Sequence, residues 1–122
     1  MRLGFVAAVA LVFCVCPLQA REIEHRIVSK PGQTNTTLAG CVPKPDDVVV
    51  YVLQARAGQH FFLRLEPGPK LVAQVLLVPP SGVQVGPGAE VDHVAEESGM
   101  FRIRIIPRER SSGKFRLHLS LR

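Results

Sequence analysis

Histidines at His25, His60, His93 and His118, with cysteines at Cys14, Cys16 and Cys41, are the side chains best suited to metal or nucleophilic chemistry in this sequence. A zinc site needs His or Cys ligands at short, fixed spacings, and none of these residues shows one. His93 and Glu96 are three apart, which on a strand sends them to opposite faces, so they read as surface groups near a turn. No Gly-x-Ser-x-Gly elbow is present, and Cys41 lacks a catalytic neighbourhood. The glycine-bearing stretch 82–88 opens no helix, so it lacks the dipole and free amides of a phosphate cradle. These observations point away from an enzyme, with no catalytic residue, metal or cofactor expected.

One constellation remains. Arg102, Arg104, Arg116 and His118 fall at alternate positions in two apolar runs near the C-terminus. If those runs pair, the four side chains share one wet face, and Arg64 joins them if its own run lies alongside. Guanidinium groups on neighbouring strands engage carboxylates, sulfates or phosphates bidentately. The partners expected for such a face are an anionic polysaccharide, lipid head groups or an acidic protein. Nucleic acid is not expected, because Phe62 is the one aromatic at an outward position and stacking platforms are otherwise scarce.

The elements that carry these residues follow from composition and period. The chain has 122 residues, 47% of them hydrophobic, enough for one packed domain. Its 10 Gly and 10 Pro leave no room for a long helix beyond the N-terminus. There, Arg2 precedes an apolar run from Leu3 to Cys16, followed by Pro17, Leu18, Gln19 and Ala20. This is the layout of a secretory signal, and it is short of the ~20 apolar residues of a membrane anchor. Cleavage after Ala20 removes Arg2, Cys14 and Cys16, so the formal charge falls from +5 to +4. Cys41 then stays as a single thiol that can close no intrachain disulfide, and reads as a small residue at a strand edge or the seat of an intermolecular bridge. Asn35-Thr36-Thr37 matches a glycosylation acceptor, which matters in a eukaryotic secretory pathway.

Period two runs through the rest. Phe115, Leu117, Leu119 and Leu121 alternate with Arg116, His118, Ser120 and Arg122, and Phe101, Ile103 and Ile105 alternate with Arg102 and Arg104. The polar stretch 107–113 between them predicts an antiparallel hairpin. Phe61, Leu63 and Leu65 form another inward set, as do Tyr51, Leu53 and Ala55 before the Ala57-Gly58-Gln59 turn. Residues 71–78 are almost wholly apolar, which predicts a central strand. Residues 23–28 read as a first edge strand, 30–45 as an irregular connection, 83–89 as loop and 90–95 as a short strand. The sum is an all-β protein: an antiparallel β-sandwich, jelly-roll-like, of seven to eight strands. The expected organisation is a signal peptide over 1–20, an edge strand and irregular connection over 21–45, and a sandwich over 46–122 that forms one compact domain with 21–45.

Tyr51 and Leu53 before Ala57-Gly58-Gln59, Pro80-Ser81-Gly82, Gly99-Met100-Phe101 and Gly113-Lys114-Phe115 together resemble the bacterial pre-peptidase C-terminal domain. The resemblance spans about residues 46–121. It implies a jelly-roll sandwich that is not itself catalytic and does binding or accessory work outside the cytoplasm. Some such domains bind calcium through acidic residues near the first strands. Here Asp46 and Asp47 precede a valine run, and two carboxylates fall short of the six or more oxygens that calcium takes, so they read as a turn. The chain is also similar to periplasmic inhibitors of g-type lysozyme, at Arg56-Ala57-Gly58-Gln59 and Val78-Pro79-Pro80-Ser81-Gly82. Ser98, Gly99, Met100 and Phe101 resemble the Ser-Gly-x-Tyr loop of lysozyme inhibitors, with Phe101 in place of Tyr. That resemblance implies an inhibitor loop at Ser98–Phe101. A net charge of +4 opposes approach to a cationic lysozyme, and Asp92, Glu96 and Glu97 supply a local acidic patch. Either resemblance places the processed chain in the periplasm or outside the cell, with no membrane span retained. Mass spectrometry of the exported protein is expected to find Arg21 as the first residue; a retained Met1 overturns the signal-peptide reading.

Overall fold

The computed structural model describes residues 22–27 and 35–122. The expected signal peptide and its cut site lie outside the described residues, as does Val28. Nine strands follow one another: β1 (Glu22–Arg26), β2 (Asn35–Val42), β3 (Val48–Ala55), β4 (His60–Pro67), β5 (Val72–Val78), β6 (Val85–Gly88), β7 (Glu90–Val94), β8 (Gly99–Arg108) and β9 (Gly113–Leu121). There is no helix among the described residues. The strands form a five-stranded sheet in the order β1-β3-β8-β5-β6 and a four-stranded sheet in the order β2-β9-β4-β7. Pairing is antiparallel throughout except between β1 and β3. The β-sandwich expected from the alternation is the architecture found.

Alternation explains the core. Val49, Tyr51, Leu53 and Ala55 of β3, Val75 and Leu77 of β5, and Phe101, Ile103 and Ile105 of β8 point inward from one sheet. Phe61, Leu63 and Leu65 of β4, Val91 of β7, and Phe115, Leu117, Leu119 and Leu121 of β9 meet them from the other. The rings of Phe61 and Phe101 touch across the interface, 4.7 Å between centroids. Tyr51 meets Phe115 edge-on at 6.4 Å, and burial raises the Tyr51 hydroxyl above its ordinary pKa.

Three expectations are corrected. The strands β8 and β9 do not form a hairpin: β8 lies between β3 and β5, and β9 between β2 and β4, in the opposite sheet. Every connection but β5–β6 crosses between sheets in this way. A one-sided apolar strand satisfies its buried face equally well by pairing with its sequence neighbour or by facing it across the core, so alternation does not decide between them. Second, the expected irregular connection contains β2, eight residues paired with β9 from Asn35↔Ser120 to Val42↔Gly113. It escapes the alternation test because it is an edge strand with small residues at Ala39 and Gly40. Third, the expected loop over 83–89 contains the short strand β6, paired to β5 at two positions.

At Gly40 two core rings crowd the backbone of β2. A Cβ there would stand 2.5 Å from Phe115 Cζ and 2.6 Å from Tyr51 Oη. Both rings are held in the core, so neither can yield cheaply. Gly40→Ala is expected to destabilise the protein by about 1–3 kcal/mol, the range of an overpacked core, read as a lower urea midpoint at unchanged slope.

Candidate functional site

The crossing of β8 to the other sheet divides the expected cationic face in two. Arg102 and Arg104 project outward from the five-stranded sheet, whereas Arg64, Arg116 and His118 project outward from the four-stranded sheet. The two groups stand on opposite sides of the sandwich and cannot act on one ligand.

On the first side the arginines have partners. Arg102 Nη1 donates to Glu24 Oε2 at 2.9 Å, and Arg104 Nη2 lies 2.7 Å from Glu22 Oε2. Both glutamates belong to β1, and β3 lies between β1 and β8. Each ion pair therefore spans β3. The register places Val50 between the two straps, and Val50 is fully buried although it faces away from the core. Aliphatic arginine stems shield apolar surface while their heads stay wet. These residues clip the edge strand β1 to its sheet.

The other sheet carries a polar outer face built from registered rows. Thr37, His118, Arg64 and Glu90 form one row across β2, β9, β4 and β7; Asn35, Ser120, Phe62 and Asp92 form the next. His118 Nε2 is 3.0 Å from Glu66 Oε1, and its Nδ1 is 3.2 Å from Thr37 Oγ1. A neutral imidazole donating from Nε2 to the carboxylate can accept from the Thr37 hydroxyl at Nδ1. His60 Nε2 is paired with Asp92 Oδ1 in the same manner. The hydroxyl, imidazole and carboxylate thus form one hydrogen-bonded row on an exposed sheet face.

Three turns gather at one end of the sandwich. The chain reverses over Arg56–Gln59, where the Arg56 amide donates to Gln59 Oε1 at 2.8 Å. The Ala57 amide donates to Ser98 Oγ at 2.9 Å, and the Gly58 amide donates to the Ala95 carbonyl at 2.8 Å. These bonds tie the β3–β4 turn to the β7–β8 turn. The Pro79–Gly82 turn closes with the Gly82 amide on the Pro79 carbonyl at 2.9 Å. Pro80 packs against Gly99, where an added Cβ would meet Pro80 Cγ at 2.9 Å and φ is +149°. Arg56, Val83, Glu96, Glu97, Ser98 and Met100 are exposed at this end, Val83 at 68% and Met100 at 38%.

Of the expected inhibitor loop, only Ser98 lies in a turn. Gly99, Met100 and Phe101 open β8 in register with Ala55, Gln54 and Leu53. Phe101 has no exposed surface, so it presents no atom to a partner. At this alternation any aromatic there points into the core, and a hydroxyl would be buried with it. Asp46 and Asp47 end a turn closed by the Asp47 amide on the Lys44 carbonyl, and among the described residues no three His, Cys, Asp or Glu side chains group as a metal site. Cys41 is exposed on the edge strand β2.

With this geometry in hand, the fold can be set beside known ones. It is similar to the periplasmic lysozyme inhibitor of g-type lysozyme from Aeromonas hydrophila, with TM-score 0.70 and 16% identity over 84% of this chain and 99% of that one. The corresponding protein of Salmonella Typhimurium aligns with TM-score 0.66 and 17% identity over 82% of this chain and 98% of that one. The pre-peptidase C-terminal domain of a Bacillus anthracis collagenase aligns with TM-score 0.54 and 13% identity over 84% of this chain and 96% of that one. These likenesses establish the fold. Both resemblances read in the sequence thus have structural counterparts. No family model and no curated protein matches the chain.

The sequence singled out Arg56 only within the Arg56–Gln59 resemblance, and did not single out Val83 or the carboxylate partners of Arg102 and Arg104. The signal for Val83 is its place just after the turn that ends at Gly82.

The His118 hydrogen bond holds the Glu66 carboxyl below its ordinary value of 4.5, helped by the charges of His118, Arg116 and Arg64. A folded-state pKa below the unfolded one adds stability above pH 4.5 that disappears as pH falls through the lowered value. Carbon-detected NMR titration is expected to place the Glu66 midpoint below 4.5, and His118→Ala should move it upward. An unchanged midpoint in that variant would mean the imidazole does not set the shift.

Proposed function

We propose that this chain is an exported, non-catalytic binding protein that inhibits a g-type lysozyme through the loop end of its sandwich. The observation that carries the reading is the end-to-end match with the Aeromonas protein, whose whole length it accounts for at 99%. The turns that carry the sequence resemblance, Arg56–Gln59, Pro79–Gly82 and Ser98, lie together at one end, the first and last joined by hydrogen bonds and the second packed through Pro80 against Gly99. The reading includes the organisation given above, with a signal peptide over 1–20 and one compact domain from 21 to 122, and an extracytoplasmic location.

The chemistry of that end fits an enzyme cleft. Glycoside hydrolases act through a pair of carboxyl groups beside the scissile bond. Arg56 stands exposed on a turn braced by Gln59, Ala95 and Ser98. A guanidinium delivered on a rigid turn can bind such carboxylates bidentately at small ordering cost. Val83 and Met100 add exposed apolar contact area, and Ser98 a hydroxyl already fixed in place. Glu96 and Glu97 supply negative charge for the basic rim of a cationic enzyme.

A second reading keeps the same fold as an accessory module like the collagenase domain, engaging an anionic polymer through an arginine face. The similarity to that domain supports it at TM-score 0.54. The pairing of Arg102 and Arg104 with Glu24 and Glu22 leaves Arg64, Arg116 and His118 as its candidates.

Lysis assays with g-, c- and i-type lysozymes separate the readings. Stoichiometric inhibition of the g-type enzyme is expected. Arg56→Ala should weaken it about thirtyfold, the effect of losing ~2 kcal/mol at an interface anchor. Arg104→Gln, on the far side, should inhibit as the parent does. No inhibition of any lysozyme at micromolar protein, with retention on an immobilised polyanion, transfers the assignment to the accessory module.

A further inference from the structure

Alternation along β4, β9 and β2 sends Phe62, Arg64, His118, Ser120, Asn35 and Thr37 to the same outer face. Phe62 is 38% exposed at the centre of that face, although a phenyl ring gains nothing from water. It stands between two hollows. One, of about 330 Å³, is lined by all six of these residues. The other, of about 240 Å³, is lined by His60, Phe62, Ser120 and Arg122.

The lining is unlike a protein-docking patch. Around one aromatic ring stand an amide, two hydroxyls, an imidazole and a guanidinium. His118 is oriented by Glu66, and His60 by Asp92, so two of the three nearby carboxylates are engaged by imidazoles. Glu90 lies across from Arg64 in register, yet Arg64 makes no ion pair among the described residues. An outward arginine left open beside an aromatic floor and fixed hydrogen-bonding groups has the makeup of a small-ligand site: an apolar surface, a few placed polar groups and one charge.

We propose that this face is a saccharide-binding site, taking a carboxylated pyranose with its C–H face on the Phe62 ring and its carboxylate on Arg64. A pyranose carries an apolar face and a rim of hydroxyls, which matches a ring bordered by Asn35, Thr37 and Ser120. A planar carboxylate matches a guanidinium fork. The second hollow, sharing Phe62 and Ser120, receives the adjoining sugar. Single-stranded nucleic acid fits less well. It stacks successive bases on several aromatics, and here Phe62 is the one exposed ring of the face. The first hollow lies on the outer face of the four-stranded sheet, and the second, at His60, borders the Arg56–Gln59 turn; the site does not depend on the inhibitor reading, and it gives a ligand class to the accessory-module reading.

The test is an amide-shift titration of the protein with trigalacturonate, with its methyl ester as a ring-matched neutral probe and with oligothymidylate. Trigalacturonate should give saturable shifts centred on Asn35, Phe62, Arg64, His118 and Ser120. Phe62→Ala should weaken it at least tenfold, and Arg64→Gln should weaken it to the level of the ester. Arg102→Gln, on the opposite sheet, should bind as the parent does. The proposal is overturned by the absence of saturable shifts, by shifts centred elsewhere, by an ester that binds as tightly as the acid, by full binding in Phe62→Ala, or by tighter binding of oligothymidylate.

Discussion

The contact between Phe61 and Phe101 governs much of this molecule. The two rings come from opposite sheets, have no exposed surface and lie 4.7 Å apart. Each sits just behind a turn: Phe61 follows the reversal at Arg56–Gln59, and Phe101 follows Ser98 and Gly99. The hydrogen bonds that join those turns are therefore founded on a packed aromatic pair. Burial of rings this size contributes several kcal/mol, a large share of the ~5–15 kcal/mol by which a small domain is stable. No disulfide reinforces it among the described residues, where Cys41 is the free thiol. The turns at that end are thus anchored at their base to the centre of the core.

The same packing explains what could be read from the sequence and what could not. The inward sets at Phe61/Leu63/Leu65, Phe101/Ile103/Ile105 and Phe115/Leu117/Leu119/Leu121 are core residues as their period demands. Period reports which face of a strand is dry, and it is silent on which strand lies beside it. That is why β8 and β9 look like a hairpin and instead belong to different sheets. Thr36 and Leu38 of β2 are only half-buried, and Gly40 is chosen for its lack of a side chain against Phe115 and Tyr51. A strand selected for closeness of approach carries little hydrophobic signal. Val50 and Val52 are the converse: they belong to the outer face yet are buried, because long side chains from neighbouring strands cover them.

The arginines show how far residue type underdetermines role. Arg102, Arg104, Arg64 and Arg116 occupy equivalent outward positions in similar alternating runs. Their difference comes from what stands across the ladder. Glu22 and Glu24 lie about eighty positions before Arg104 and Arg102, and only the parallel placement of β1 brings them together. Exposed ion pairs of this kind add about 0–1 kcal/mol each, so their main effect is to hold an edge strand in place and keep its open side from pairing with another chain. On the four-stranded sheet Arg64 and Arg116 stand across from Glu90 and Glu66, yet among the described residues they form no ion pair. The fold thus ties one pair of arginines to an edge strand and leaves the other pair in looser company with its carboxylates.

Net charge then carries less weight than its distribution. The formal +5 of the whole chain disfavours a basic partner at long range, but salt limits that repulsion to about 8–10 Å. Within that distance of the loop end a partner meets Glu96 and Glu97 as well as Arg56. The open arginines lie elsewhere, on the outer face of the four-stranded sheet. That face sets Arg64 against Glu90 and Arg116 against Glu66 in register, so it offers placed charges of both signs and no single field. A two-layer fold draws its turns and its outer faces from different strand positions, and here they adjoin at His60, which follows directly on the Arg56–Gln59 turn and pairs with Val94 beside the β7–β8 turn.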